Sequence, residues 1–579
     1  MKDNILKSTL LAAFFLLFFI FYNVFISTLF FIFNVSISKY YAIVALILSI
    51  VTIIFLLKKM DLLSIKKIYC SIISIIVPIF IIALSLFLNG KIVDFSYDGN
   101  YYHKPTIGLM ANGWNPLYEE AQEFDQNQDQ PIYISERIAT WVDHYARASH
   151  VYQANIYALT GNIECGKSIN TLSIILMFLI IFSIMALRIK KIVFSLLFSI
   201  CVVTYSVISA QFLTNYIDLL NYIFLTLLIF TFFVFEFREN KKQENGGLLL
   251  YFICLLLCIN IKFTTFAYAG LFCLGFYIYY IIKLIKKKID KKFFIKFTTV
   301  SFVGVIVGVF VIGLAVYPKN FVMDGNPFYP LFGENKEDIM TTNQPDYFKE
   351  KSPIEKYTIS MFSKTENISE SSGKTATWKI PFTVSNEELD VIKTTDTRIS
   401  GNGVLFSGIF ILSILIICLT SYKIFKEHKE VFILCSIILG ITILLIFFLG
   451  ESWWARYFPQ TYFIVLIALL YLWLLKNKVT KFLSIVVILV NNAITFKEAV
   501  NYSYDLNMNA KLQYQYMLDT TGGNVYIITE IAYPGIYYNI QDDLEEYNYT
   551  ILPPENNISL DEYQYILSGL AFYKGISGD

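Results

Sequence analysis

The chain has 579 residues and a net charge of +1, with 56% hydrophobic and only 16% charged residues. A mean hydropathy of +0.57 lies outside soluble globular composition and puts the chain in a bilayer. The balanced charge gives no basic surface for a nucleic-acid partner. The eight cysteines, seven in or at the edge of apolar runs and Cys165 alone in a predicted loop, build neither a disulfide framework nor a CxxC ligand set.

The first apolar run, residues 10–33, exceeds a signal-peptide core of roughly 7 to 15 residues and has no small-residue cleavage site, so it reads as a retained span. Runs long enough for a hydrocarbon core of about 30 Å recur from there on. They predict about thirteen spans, centred near Leu17, Ile47, Ile79, Met177, Ile200, Leu227, Leu256, Phe276, Val307, Ile414, Ile438, Ile467 and Val487. Lysine and arginine crowd alternate connections, among them Lys58, Lys59, Lys66 and Lys67, then Arg188, Lys190 and Lys191, then Lys286, Lys287 and Lys288. The short loops between them hold only Lys39, Lys262 and Arg456, an asymmetry of roughly eightfold that sets the amino terminus in the cytoplasm and the carboxyl terminus outside. An integral protein of a bacterial plasma membrane, surrounded by membrane lipid, is the expectation.

Three segments, 89–170, 317–403 and 497–579, are too long to be mere connections, and all three fall on the outer side. The inner loops are short and contain no GxxxxGK[ST] or GxGxxG, so chemistry is expected at the outer face. In the first outer loop Asp98 precedes Gly-Asn-Tyr101-Tyr102-His103-Lys104-Pro105. Pro105 suits a first helical turn and Gly113 a stop, giving a short helix whose Ile107, Leu109 and Met110 are free to lie on the membrane surface. Asp98 then sits beside the bilayer, either as a helix N-terminal charge or as a reactive carboxylate.

Asp218 opens a later span at its outer end, where a carboxylate costs up to about 3 kcal/mol if drawn into hydrocarbon. Lys262, in Asn260-Ile-Lys262-Phe, and Arg456, beside Trp453 and Trp454, are the outer-edge cations, read either as interfacial anchors or as anion ligands. The loop 317–403 is rich in Lys, Glu, Ser and Thr, a composition that points to partial mobility. Beyond 497 a helix to Leu518, a stop at Gly522-Gly523 and the β-prone run 525–529 predict a small α/β module.

The arrangement resembles the GT-C glycosyltransferases, multi-span enzymes that take sugar from a polyprenyl-phosphate carrier. It is most similar to the branch of protein O-mannosyltransferases and lipid A aminoarabinose transferases. Tyr97-Asp98-Gly-Asn-Tyr101-Tyr102-His103-Lys104-Pro105 is similar to the family's D-x-x-x-Y-H-x-P opening, and Asn115-Pro116 to a segment that often follows. Asp218 matches the family's later acid. Gly325-Asn326-Pro327-Phe328-Tyr329-Pro330-Leu331 and Arg456-Tyr457-Phe458-Pro459 resemble stretches at later outer edges. Departures are Gly99, where many members carry a second acid, and two extra leading spans. The resemblance implies a GT-C-like core over 68–496, two extra spans over 1–67 and a carboxyl-terminal domain over 497–579.

It also implies transfer of a sugar from a polyprenyl-phosphate-linked donor to a hydroxyl of a glycan, lipid or protein acceptor, with inversion. Asp98 would be the base and Asp218 its partner. Lys262, Arg456, His103 and Lys104 would face the donor phosphate, and Tyr101, Tyr102 and Trp114 the sugar or acceptor. No cofactor is expected, and a metal clamp is disfavoured because a hard cation wants several oxygen ligands. The competing readings are a flippase or transporter of lipid-linked glycans, which calls for charges deep in the spans, and an outer-face polysaccharide polymerase or ligase, which calls for more loop arginines.

Overall fold

A computed structural model describes residues 1–129, 131–333, 336–475 and 478–521, and beyond these 524–527, 533–539, 550–552, 564–566 and 571–575. The protein is an α-helical polytopic membrane protein. Apolar runs form helices because a helix satisfies every backbone group internally, as a segment in lipid must. Among the described residues eleven helices are long and apolar enough to cross a bilayer.

The chain opens with α1 (Lys2–Ile32), α2 (Tyr40–Lys59) and α3 (Ile65–Asn89). The first large loop follows, with α4 (Lys104–Ala111), α5 (Glu136–His144) and α6 (Ala148–Thr160). The chain then returns through α7 (Ile163–Ile189), the short α8 (Ile192–Val203) and α9 (Ser206–Gln211), and α10 (Asp218–Glu236). Next come α11 (Lys241–Ile261), α12 (Phe263–Ile285) and α13 (Lys291–Ile312). The second large loop carries α14 (Tyr317–Asp324), α15 (Pro353–Phe362) and α16 (Asn386–Ile392). Four helices complete the bundle: α17 (Phe406–Glu427), α18 (Lys429–Phe448), α19 (Thr461–Leu474) and α20 (Lys478–Thr521).

The expected thirteen spans resolve into these eleven and two shorter helices. α8 and α19, the helices near Ile200 and Ile467, have 12 and 14 residues, or about 18 and 21 Å at 1.5 Å per residue. They are too short to cross hydrocarbon alone, and α19 is buried along almost its whole length, as befits a core helix of that size. α1, α10 and α11 are the most enclosed of the long helices, whereas α3 and α13 are the most open. The leading pair is thus unequal, with α1 inside the bundle and α2 largely on its rim.

α8 continued by α9, and α19, nevertheless carry the chain from the end where Lys191 and Lys481 meet Trp473 to the end where Gln211 meets Asp218 and Thr461 meets Tyr357, so every large loop emerges from one end of the bundle, the end that also holds the start of α10 and the α11–α12 turn. The first loop builds its own core there from Ile107, Leu109, Met110, Trp114, Ile138, Val142 and Val151. Ile107, Leu109 and Met110 were expected to face lipid; instead all three are buried, because the loop is long enough to enclose the apolar face of α4. The second loop contains α15 and α16, each opened by a capping box, Ser352 with Glu355 and Ser385 with Glu388.

α20 passes through position 497 without a break, so the carboxyl-terminal segment grows out of the last span. Its β1 (Asn524–Ile527), β2 (Thr550–Leu552), β3 (Gln564–Ile566) and β4 (Ala571–Gly575) form a sheet ordered β2-β1-β4-β3. β1 and β2 run parallel; the other pairs are antiparallel. Between β1 and β2, residues 533–539 insert into the first loop, where the Gly535 N–H donates to the Asn100 carbonyl over 2.8 Å. A side chain at Gly535 would meet that carbonyl at 2.6 Å, so the approach requires glycine.

Candidate active site

The segment before α4 is turned back on itself by Asp94. Its Oδ1 accepts the Ser96 N–H at 2.8 Å, and the Asn100 side chain donates to the Asp94 and Ser96 carbonyls. A single π turn over Gly99–His103 follows. This geometry leaves Asp98 projecting from the turn, with its N–H donating to the Tyr216 hydroxyl at 3.4 Å. Asp94 Oδ2 accepts both the N–H and the side-chain amide of Asn215, at 2.7 and 2.9 Å. The segment leading to Asp98 is thereby fixed to the turn leading to Asp218.

Asp98, Asp218, Lys262 and Arg456, four residues far apart in sequence, meet at this end of the bundle. Arg456 Nη1 lies 2.8 Å from Asp98 Oδ2 and 3.7 Å from Asp218 Oδ2. Lys262 Nζ donates to Asp218 Oδ1, and the Gln211 amide donates to Asp218 Oδ2 at 3.3 Å. Lys262 sits where α11 gives way to α12, with extended backbone between the two helices, and its ammonium lies 4.3 Å from the Tyr457 ring centre. The Arg456 guanidinium is boxed by Trp454, Tyr457 and Tyr216 at 4.5, 5.0 and 5.1 Å from the ring centres. Such packing suits a planar, weakly hydrated cation and holds it rigidly.

A third carboxylate, Asp396, joins the cluster with Oδ1 3.0 Å from Arg456 Nε. Burial pushes its carboxyl above the ordinary range, against the pull of Arg456 and with the help of Asp98. For Arg456 burial acts downward, but the Asp396 and Asp98 carboxylates outweigh it and raise its pKa well above the usual value. Burial likewise raises Tyr216 and Tyr457, which keep their phenol protons. Asp396 carries no mark in the sequence. Its surroundings, Thr394-Thr395-Asp396-Thr397-Arg398, look like any polar loop, and only the fold sets it against Arg456.

The other expected site residues are held by the first loop, with His103 and Tyr102 next to the cluster. Lys104 is buried 2.7 Å from Glu164 and also donates to the Asp94 carbonyl and to Asn539, so its ammonium is already paired within the first loop. His103 Nδ1 lies 2.6 Å from His150 Nε2 in a buried pair. Burial, with the charges of Lys262 and Arg456, holds His103 well below its ordinary pKa, and His150 is lowered to about 3. Trp114 is wholly buried, its indole N–H donating to the Glu119 carbonyl and its ring under Arg147. Tyr102 packs among His103, Trp141 and Tyr145. Tyr101 is half-buried, stacked on Tyr97 and edge-on to Tyr533.

A cavity of about 130 Å³ opens beside the cluster, lined by Asp94, Ser96, Tyr97, Thr395 and Tyr502 among others. None of Asp98, Asp218, Asp396, Lys262 and Arg456 lines this cavity; Arg456 itself lines a much smaller one, with Gln211, Thr395 and Thr397. Among the described residues no three His, Cys, Asp or Glu side chains are placed to hold a metal ion. No protein-family model and no curated protein matches this chain.

Proposed function

We propose that this protein is a membrane glycosyltransferase with a GT-C-like arrangement, moving a sugar from a polyprenyl-phosphate-linked donor to an acceptor hydroxyl at the extracytoplasmic face. The lysine-rich short loops, on the opposite side from the cluster, support that orientation; the reaction would serve cell-envelope glycan modification. The observation that carries the reading is the meeting of Asp98 and Asp218 on Arg456, with Lys262 alongside.

The donor already carries a good leaving group, so the protein has three tasks. It must take a proton from the acceptor, align the acceptor oxygen with the anomeric carbon, and stabilise charge on the departing phosphate. In the proposed step Asp98 accepts the acceptor's proton while the acceptor oxygen bonds to the anomeric carbon. The bond from that carbon to the phosphate oxygen breaks, and the electron pair leaves on the phosphate, facing Arg456 and Lys262. A single displacement inverts the anomeric centre. Asp218, held by Lys262 and Gln211, fixes the cations rather than the substrate.

Charges gathered at one end of the bundle favour surface chemistry over passage through it, the requirement of a flippase. Asp98→Asn, assayed in nanodiscs with a polyprenyl-phosphate sugar, should remain monodisperse and lose transfer by about 10²- to 10⁴-fold, the size of a general-base contribution. Full activity in that variant would discard Asp98 as the base.

A further inference from the structure

Each cation of the cluster already faces a carboxylate before any substrate arrives. Asp98, Asp218 and Asp396 face Arg456, Lys262 and, beyond Asp396, Arg398. A phosphate brings further negative charge into a buried site, and a buried charge without a counter-charge is costly. One of the three carboxylates must therefore give way.

They are not held equally. Asp218 is the first residue of α10, 2% exposed, and accepts from both Lys262 and Gln211. Asp98 accepts a formed hydrogen bond from Arg456 Nη1. Asp396 is the most open of the three, at 28% against 18% for Asp98. Its Oδ1 lies 3.0 Å from Arg456 Nε, yet neither atom takes part in a hydrogen bond. Its other oxygen is 3.7 Å from Arg398 Nη2, so a second cation waits on its far side. Arg398 is anchored by a 2.8 Å hydrogen bond to Asn343 and does not have to move. Arg456, buried and boxed by aromatic rings, cannot swing out to a ligand, so the ligand must replace what sits on it.

We propose that Asp396 occupies, in the resting protein, the place of the donor phosphate on Arg456 and shifts to Arg398 when a lipid-linked phosphate binds. This rests on the reading that a polyprenyl phosphate enters the cluster, and it adds a displaceable positioning residue to it.

The test is binding of polyprenyl phosphate to the full chain in phosphatidylcholine nanodiscs, with inorganic phosphate as competitor. Asp396→Asn should bind the lipid about tenfold more tightly, because a charge-assisted contact no longer has to be broken. Arg398→Gln should bind several-fold more weakly, and Arg456→Gln should lose binding. A merely structural Asp396 predicts the opposite sign for its own variant. Equal or weaker binding by Asp396→Asn, with Arg456 still required, overturns the displacement and leaves the phosphate reading standing. Absence of lipid binding in the wild type and in Asp396→Asn alike overturns both. Competition by inorganic phosphate at micromolar levels would assign the site to free phosphate and overturn the lipid assignment. Asp396→Ser serves as the second variant; aggregation of both would show a required group and also overturn the proposal.

Discussion

Asp94 and Asn215 lie 121 positions apart, yet one carboxylate oxygen of Asp94 receives both the backbone and the side-chain N–H of Asn215. This contact sets the distance between the two carboxylates of the site, since Asp98 follows one partner and Asp218 the other. Both partners are buried. Asp94→Ala leaves two buried donors without an acceptor, at a cost of about 2 to 4 kcal/mol. Asp94→Asn, which keeps one acceptor oxygen, should cost less. Thermal unfolding of the purified variants measures the difference, and the proposed sugar transfer should fall in the same order.

Glu164 carries a heavier burden. Its two oxygens lie 2.7 Å from Lys104 and 2.6 Å from Lys167, with all three side chains buried. Glu164→Gln would leave two interior ammonium groups without a counter-charge, and removing one member of a buried ion pair costs about 3 to 5 kcal/mol. Lys104→Met should be milder because Lys167 still pairs with Glu164. A Lys104→Met variant as unstable as Glu164→Gln would contradict this, as judged by the temperature at which each loses its monodisperse peak.

The residues that could be read from sequence and those that could not differ for a physical reason. Asp98, Asp218, Lys262 and Arg456 stand out because charges at the ends of apolar runs are few, and each is costly to place there without a partner. Lys104 and His103 carry the same signal, but Glu164 and His150 absorb them, and such pairings depend on how the loop folds. Asp396 carries no signal because polar loops are full of acids. α8 and α19 match the hydropathy of full spans, and their short length depends on where turns at Thr204 and Leu475 end them. Ile107, Leu109 and Met110 look lipid-facing until residues 536–538, from the far end of the chain, are seen packed in the same core.

The His103–His150 pair makes stability depend on pH. His150 has a folded pKa of about 3 against an ordinary 6.5, because burial and then Arg147 oppose its charge; His103 is lowered too. A depressed folded pKa means the unfolded chain binds the proton more readily. The contribution is therefore fully present above about pH 6.5 and is lost as the pH falls toward 3, by about 1.4 kcal/mol per pH unit for one such group. Unfolding midpoints between pH 7.5 and 5 should fall more steeply for the wild type than for His150→Gln, which cannot take up that proton. Parallel slopes for the two proteins would remove the pair from the account.

Docking of residues 533–539 offers a way to disturb the site without touching its charges. Gly108, on α4, lies against the Tyr538 ring so closely that an added Cβ would stand 2.0 Å from it. Tyr538 cannot yield easily, for it is itself buried against the first-loop core. Gly108→Val should therefore expel the segment, freeing Tyr533 from Tyr97 and Tyr101 and removing Asn539 from Glu164 and Lys104. The bundle, whose spans do not depend on that contact, should stay folded. Limited proteolysis read by mass spectrometry should then show faster cleavage beyond Thr521, and the proposed sugar transfer should drop because the turn carrying Asp98 loses its support. Wild-type protease resistance in Gly108→Val would mean that the segment is not held by this packing.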